Sequence, residues 1–373
     1  MIYRSLLRPI LFRLPAETAH ELAIISFSSL LRPGFARRFF SGKFRRAPFG
    51  QLKRFGLLFD NPVGLAAGFD KNGTATQALA ALGFGFIEAG TVTSRPQPGN
   101  PKPRVFRLVR DGALINRLGF NNCGAAQLAE NIRRHRPDCV LGVNIGKSRD
   151  VAVDDAVPDY LASFDAVYSV ADYIAINVSS PNTPNLRELQ RPDMLSALLA
   201  SLQRRNRELA TRDSLPRPKP LLLKIAPDLT NEEIESIVQI ALQQNIDGLI
   251  ATNTTIRRDK LRTPPETIAE CGEGGLSGAP LRQRSNETIA LIYRLTRGTL
   301  PVIGVGGVFT AQDAWEKICA GASLIQLYTG FIYEGPQVAC RINEGLAAIL
   351  KREGFASLDE AIGCQMLNAM TAK

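Results

Sequence analysis

The sequence predicts an α/β fold, a closed (β/α)8 TIM barrel with an N-terminal amphipathic helical extension, and three observations carry that expectation. From residue 61 onward one unit recurs eight times: a short apolar strand, a turn rich in Gly, Asn or Ser, and an amphipathic helix. Eight such repeats favour a closed barrel over an open doubly wound sheet. Polar side chains gather at the C-terminal ends of the strands, while the strands stay apolar, as parallel strands covered on both faces must. The first fifty residues depart from this pattern in charge and in period. A chain of 373 residues suits one barrel with insertions. Residues 1–50 are therefore read as a helical arm and 51–373 as the barrel.

The arm reads as two short helices. Ile2, Tyr3, Leu6, Leu7, Ile10 and Leu11 form one apolar stripe, with Arg4, Arg8 and Arg13 around it. Pro15 suits the start of a second helix, in which Leu22, Ile25, Ser26, Ser29 and Leu30 keep a helical period beside Phe27 and Leu31. The basic stretch 37–54 reads as the linker into the barrel. Residues 1–50 hold nine Arg and Lys, Arg46 among them, against Glu17 and Glu21, so the arm carries +7 of the net +10. Cations mixed with apolar residues suggest a surface that lies on an anionic membrane. A solvated basic arm is the plainer reading of the same charges. The longest nearly apolar stretch, 22–31, is about half what crossing a bilayer requires. Recurrent charges, with no small-residue cleavage site, argue against a signal peptide.

Barrel strands are expected at 63–67, 86–91, 140–145, 173–178, 221–225, 248–252, 302–305 and 324–328. Helical patterns lie between them at 74–82, 125–135, 194–209, 231–243, 312–320 and 337–350. The excursion 95–122 after the second strand contains a hairpin, 105–109 and 113–116, turned by Asp111-Gly112.

Several chemistries are excluded early. The six cysteines are scattered with no C-x-x-C pair, which speaks against zinc, an iron–sulfur cluster or a disulfide framework and for a reducing compartment. The two histidines, His20 in the arm and His135 at a helix end, sit away from the strand ends. No carboxylate–histidine cluster marks a metal site. A nucleic-acid binder would spread basic surface over the folded body instead of concentrating it in one arm.

The strand ends carry an unusual inventory. In order they bring Ala67-Gly68-Phe69-Asp70-Lys71, Thr91, Asn144, Asn177 through Ser180 and Asn182, Lys224, Thr252-Asn253-Thr254, Gly306-Gly307, and Tyr328-Thr329. The glycines after strand seven and Thr329 after strand eight stand where barrels place a phosphate against backbone donors. Gly275 to Gly278 form a preceding loop able to close over the same group. Lys71 and Lys224 suit an anionic substrate or the negative charge of a reduced flavin, although pairing with nearby acids is the default for any lysine. With no histidine at hand, Ser180 is the candidate base. A serine works as one only with a proton relay and an acidified substrate proton, and Ser-Pro equally makes an ordinary turn.

These segments resemble the dihydroorotate dehydrogenases, in particular their membrane-associated, quinone-dependent class. The motifs that carry the resemblance are AAGFDKNG (66–73), GTVTSRPQPGNPKPR (90–104), INRLGFNN (115–122), VNIGKS (143–148), NVSSPNTPNLR (177–187), LLLKIAPD (221–228), ATNTT (251–255), GGLSG (274–278), IGVGGV (303–308) and QLYTGF (326–331). They follow the family's order over nearly the whole chain. The resemblance implies one FMN held by the 67–71 segment (Ala67, Gly68, Phe69, Asp70, Lys71) with Thr91, Asn144, Asn177, Lys224, Thr252, Gly278, Gly307, Tyr328 and Thr329. It implies dihydroorotate, oxidised to orotate in pyrimidine biosynthesis, against Lys71, Asn116, Arg117, Leu118, Gly119, Phe120, Asn177, Asn182, Asn253 and Thr254, with Ser180 as base and hydride passing to the flavin. The soluble class typically has cysteine where this sequence has Ser180, and lacks the arm. The resemblance further implies a quinone tunnel lined by His20, Arg107 and Tyr328, and a peripheral protein on the cytoplasmic face of a bacterial inner membrane.

Rival readings remain at this stage. One is a soluble-class dihydroorotate dehydrogenase or another FMN barrel such as a dihydrouridine synthase, although a tRNA-acting enzyme would want an RNA-binding domain and a catalytic cysteine. Another is a non-redox barrel, an isomerase or lyase using the strand-seven and strand-eight site for a substrate phosphate. A third is a membrane-tethered binding module without catalysis. Bound yellow flavin separates the redox readings from the others.

Overall fold

The computed structural model describes residues 2–45 and 48–365 of the chain. Arg46, counted above with the arm's basic residues, lies outside them. Eight parallel strands close into a barrel: β1 (Val63–Leu65), β2 (Phe86–Val92), β3 (Val140–Ile145), β4 (Tyr173–Asn177), β5 (Leu221–Ile225), β6 (Gly248–Ala251), β7 (Val302–Val305) and β8 (Ala322–Leu327). Each pairs with its sequence neighbours, and β8 returns to β1 through Ile325 opposite Val63. All residues of seven strands are buried, as is β3 beyond Val140, which is why these segments read as continuous apolar runs. Gly64 and Gly142 make room inside: a Cβ at either would strike the ring of Phe86 or Tyr173.

Eight strand–helix units are as the sequence predicts, with adjusted ends. The eighth strand stops at Leu327 instead of 328, because Tyr328 caps the short helix Thr329–Glu334. The helix expected at 74–82 shrinks to Thr76–Ala80, since the buried Asp70 carboxylate takes the N–H groups of Thr74 (3.1 Å) and Ala75 (2.7 Å) first. The helix at Asn231–Gln243 starts on a capping box of Thr230 and Glu233. Ala156–Val167, Pro265–Cys271 and Arg282–Thr296 are further helices that the sequence reading did not name.

Two expectations are corrected. Gly275–Gly278 is a strand, not a loop: it pairs antiparallel with Ala113–Asn116, which pairs with Val105–Leu108, so the predicted hairpin grows into a three-stranded sheet over the barrel mouth. The arm has a third helix, Gly34–Phe44, over much of the expected linker. There Ala36, Phe40 and Phe44 recur at spacing four and pack on the core; the surrounding Arg and Lys obscured that stripe in the sequence. The helical stretches Tyr3–Leu7 and Arg8–Leu11 and the helix Ala16–Leu30 agree with the sequence reading.

A hairpin, Leu52–Arg54 with Leu57–Phe59, stops the N-terminal end of the barrel. Its Phe59 is fully buried and meets Phe86 edge-on at 5.3 Å. The opposite, C-terminal end is left for the polar rim, beneath the three-stranded sheet and the arm. Ile2, Leu6, Ile10, Ile25, Leu30, Phe35 and Phe39 of the arm stay exposed. Among the described residues no helix is long and apolar enough to cross a membrane.

Candidate functional site

The site begins with a polar knot inside the barrel. Glu88, from the middle of β2, is buried and accepts hydrogen bonds from Asn144 Nδ2 of β3 (2.8 Å), Tyr173 OH of β4 (3.0 Å) and Gln326 Nε2 of β8 (2.8 Å). Lys224 of β5 stands 3.8 Å away. Five strands thus converge on one carboxylate. Burial holds the Lys224 ammonium below the ordinary lysine range, and Glu88 opposes that shift. At 3.8 Å the pair is within ion-pair reach but beyond a good hydrogen bond, so Lys224 retains donors for an occupant above it. The sequence reading missed Glu88, Tyr173 and Gln326, because nothing in an apolar strand marks which of its side chains point inward.

A chain of amides and hydroxyls rises from this knot. Thr91 donates to Asn144 Oδ1 (2.6 Å), Asn177 donates to Thr91 Oγ1 (3.0 Å), and Asn253 donates to both Asn177 Oδ1 (3.2 Å) and Ser179 Oγ (3.0 Å). Asn177 and Asn253 are thereby fixed in orientation where they line the cavity. Asn182 donates to Asn116 Oδ1 across the mouth (3.0 Å). Ser180 is buried, lines the cavity, and accepts the Asn182 N–H at Oγ (3.2 Å).

One cavity gathers most of the predicted residues. Its wall includes Ala67, Gly68 and Lys71 after β1, Thr91 after β2, Asn177, Ser180 and Asn182 after β4, Lys224 on β5, and Thr252, Asn253 and Thr254 after β6. From the sheet and the last two strands come Asn116, Leu118, Gly119, Phe120, Gly278, Gly307, Tyr328 and Thr329. Six predicted residues lie outside the wall. Asn144 acts one layer below, through Thr91. Asp70 is spent on capping its own turn. Phe69 packs edge-on to His20 (4.8 Å) and Tyr328 (5.7 Å). Arg117 donates to the carbonyls of Pro103 and Cys271 and covers the Phe106 ring. His20 stands behind the wall, against Phe69. Arg107 donates to the carbonyls of Phe12 (3.3 Å) and Leu14 (2.7 Å) and covers the Phe12 ring, so it secures the end of the first arm helix.

The far side of the cavity suits a phosphate. Gly278, Gly306 and Gly307 have φ of 100°, 118° and 74°. A Cβ would strike the Gly112 carbonyl at Gly278 and Arg282 at Gly307. Bare backbone therefore faces the cavity here, beside the hydroxyl pair Ser277 and Thr329 (2.8 Å).

Charge at the mouth is tuned by burial. Lys71 is pushed down to about 8 by loss of water, with Glu17 opposing and Arg104 adding to the fall. His20 is pushed down to about 4 by burial and then by Lys71, which leaves it neutral near pH 7.

Comparison with known proteins agrees with this architecture. The family whose description is Dihydroorotate dehydrogenase matches residues 51–350. The chain is 50% identical over 366 residues to the dihydroorotate dehydrogenase (quinone) of Roseiflexus sp. (strain RS-1), covering 96% of this chain and 97% of that protein. It is 49% identical over 363 residues to the protein of the same name from Gloeobacter violaceus, covering 97% and 99%. The crystal structure of dihydroorotate dehydrogenase in complex with ferulenol from Eimeria tenella is similar with a TM-score of 0.84 at 38% identity, covering 94% of this chain and 95% of that one.

Proposed function

Because this chain belongs to the dihydroorotate dehydrogenase family, in its quinone-dependent class, we propose that it oxidises dihydroorotate to orotate and passes the electrons through FMN to a membrane quinone. The observation that carries this reading is the convergence of Lys71, Thr91, Asn177, Lys224, Thr252 and Asn253 with the Gly278, Gly306 and Gly307 backbone on one cavity.

The donor set fits FMN. The glycine backbone and Thr329 would hold its phosphate; Ala67, Gly68, Thr91, Asn177, Lys224 and Thr252 would hold its ring system. When bound, FMN supplies a ring that accepts a hydride from a carbon acid and releases electrons to a quinone. The chain's own residues do the rest. Asn116, Asn182, Asn253 and Thr254 offer donors and acceptors to a cyclic imide, and the Lys71 ammonium pairs with its carboxylate. Ser180 Oγ takes the proton from the carbon beside a ring carbonyl as its own hydroxyl proton is relayed to solvent. The amides that grip that carbonyl acidify the proton, and the Asn182 N–H, donating to Oγ, favours departure of the hydroxyl proton that leaves Oγ able to act as base.

In this reading residues 1–50 are the quinone-side extension and 51–373 the catalytic barrel. His20, Phe69 and Tyr328 form an aromatic path from arm to cavity, and Arg107 holds the arm in place beside it. The exposed apolar residues of the arm, with its basic side chains, support peripheral attachment to an anionic bilayer at the cytoplasmic face of a bacterial inner membrane.

Anaerobic mixing of the flavin-loaded protein with dihydroorotate tests the central claim. The yellow absorbance should bleach within the mixing experiment and return on adding a soluble quinone. Persistent colour at saturating dihydroorotate would refute it.

A further inference from the structure

The arm touches the barrel mouth at one buried ion pair that the reaction above does not use. Arg104 is 6% exposed and ends the segment that follows β2. Its Nε and Nη2 donate to the Glu17 carboxylate in the first turn of the helix Ala16–Leu30 (3.1 Å and 2.7 Å). Its Nη1 donates to the carbonyls of Pro98 (2.7 Å) and Asn100 (2.8 Å). One guanidinium thus binds the arm with one edge and loop backbone with the other, the planar fork that only arginine provides.

The loop it grips supports the cavity wall. Asn100 donates through its backbone N–H to Leu118 O (3.1 Å) and through Nδ2 to Arg117 O (2.9 Å). Gln97 donates to Gly119 O (2.9 Å), and the Arg117 N–H donates to Arg104 O (2.9 Å). Leu118, Gly119 and Phe120 line the cavity. A connected path therefore runs from an arm carboxylate through Arg104 and Asn100 to the wall that faces the substrate.

We propose that Glu17 and Arg104 are a positioning pair through which the docked arm sets the 116–120 segment, so that affinity for dihydroorotate and orotate depends on the arm. The proposal rests on the dihydroorotate reading above. Neither residue touches the reacting atoms, so loss of the pair weakens binding with little change in the chemical step. By linkage the effect is reciprocal: a ligand in the cavity must tighten the arm by the same factor.

The test uses the full-length, flavin-loaded protein and three variants, Glu17→Gln, Arg104→Gln and the double. Orotate binding is read from the shift in flavin absorbance, and KM and kcat for dihydroorotate are read with a soluble quinone. Each single variant should weaken orotate and raise KM roughly tenfold with kcat within about twofold, and the double should be no worse than the poorer single. Glu21→Gln, which removes an exposed contact to Lys102 (3.2 Å) and leaves the Glu17–Arg104 pair in place, should change neither. Orotate should slow proteolysis within the arm of the parent protein but not of Glu17→Gln. Unchanged orotate affinity in Glu17→Gln, additive losses in the double, or equal protection in both proteins overturns the proposal. If a glutamine variant loses flavin, Glu17→Asp serves as the milder probe, and full parent-like affinity there with the carboxylate withdrawn from Arg104 counts against the pair. A parent protein that dihydroorotate fails to bleach refutes the parent reading instead, which keeps the two failures apart.

Discussion

Among single residues of the cavity wall, Lys71 has a charge that changes in the working range. Burial brings its pKa down to about 8, so the free protein carries the cation below that pH and loses it above. KM for dihydroorotate should stay level to about pH 7.5 and climb beyond pH 8, while Lys71→Met should show a raised, flat profile. A flat profile in the parent protein would remove Lys71 from carboxylate recognition. Ser180→Ala should keep its flavin and lose turnover by ~100-fold or more, the usual weight of a general base; near-parental turnover would dismiss Ser180 as the base. Both residues were legible because a polar side chain ending an apolar strand is conspicuous. Glu88 was not. It lies inside FIEAGTV, and its partners Asn144, Tyr173, Lys224 and Gln326 sit on four other strands. Asp70 shows the converse: it stands in a motif, yet its carboxylate serves the backbone of its own turn.

At the level of elements, the arm is the part whose behaviour departs furthest from its sequence. Two helices were legible from apolar spacing and Pro15, and a third was hidden because Ala36, Phe40 and Phe44 alternate with Arg and Lys. How the arm attaches was invisible, since Tyr3, Arg8, Phe12, Glu17 and Phe27 find their partners 87 or more residues away. Removing residues 1–50 should abolish quinone reduction while saturating dihydroorotate still bleaches the flavin. The same deletion should weaken orotate binding, read from the flavin absorbance, by about the factor seen in Glu17→Gln. Intact quinone turnover in the truncated protein would end the idea that the arm admits the quinone.

For the whole molecule, closure of the barrel brings five strands to one carboxylate. Glu88→Gln would leave Lys224 buried near a neutral amide, and breaking a buried pair from one side costs about 3–5 kcal/mol. The denaturant midpoint at saturating flavin should fall accordingly. A loss below ~0.5 kcal/mol would mean that Lys224 is held by other groups and that the knot does not stabilise the barrel. The eightfold repeat was readable because apolar strands and amphipathic helices carry different periods. The hairpin under the barrel and the third strand over its mouth were not, because Gly275–Gly278 has no strand signature and is ordered by pairing with Ala113–Asn116.

The sequence by itself determined the eight strand–helix units, the rim at which polar side chains gather, and the presence of a basic, apolar arm, since each is written in local periodicity or local composition. Tertiary structure alone decided that Glu88 ties five strands together, that Arg107 secures the arm while Arg104 joins it to the loop behind the cavity wall, and that Lys71 and His20 lose much of their proton affinity. Those outcomes depend on which distant groups meet and how much water they exclude. Neither quantity is local to any stretch of the chain.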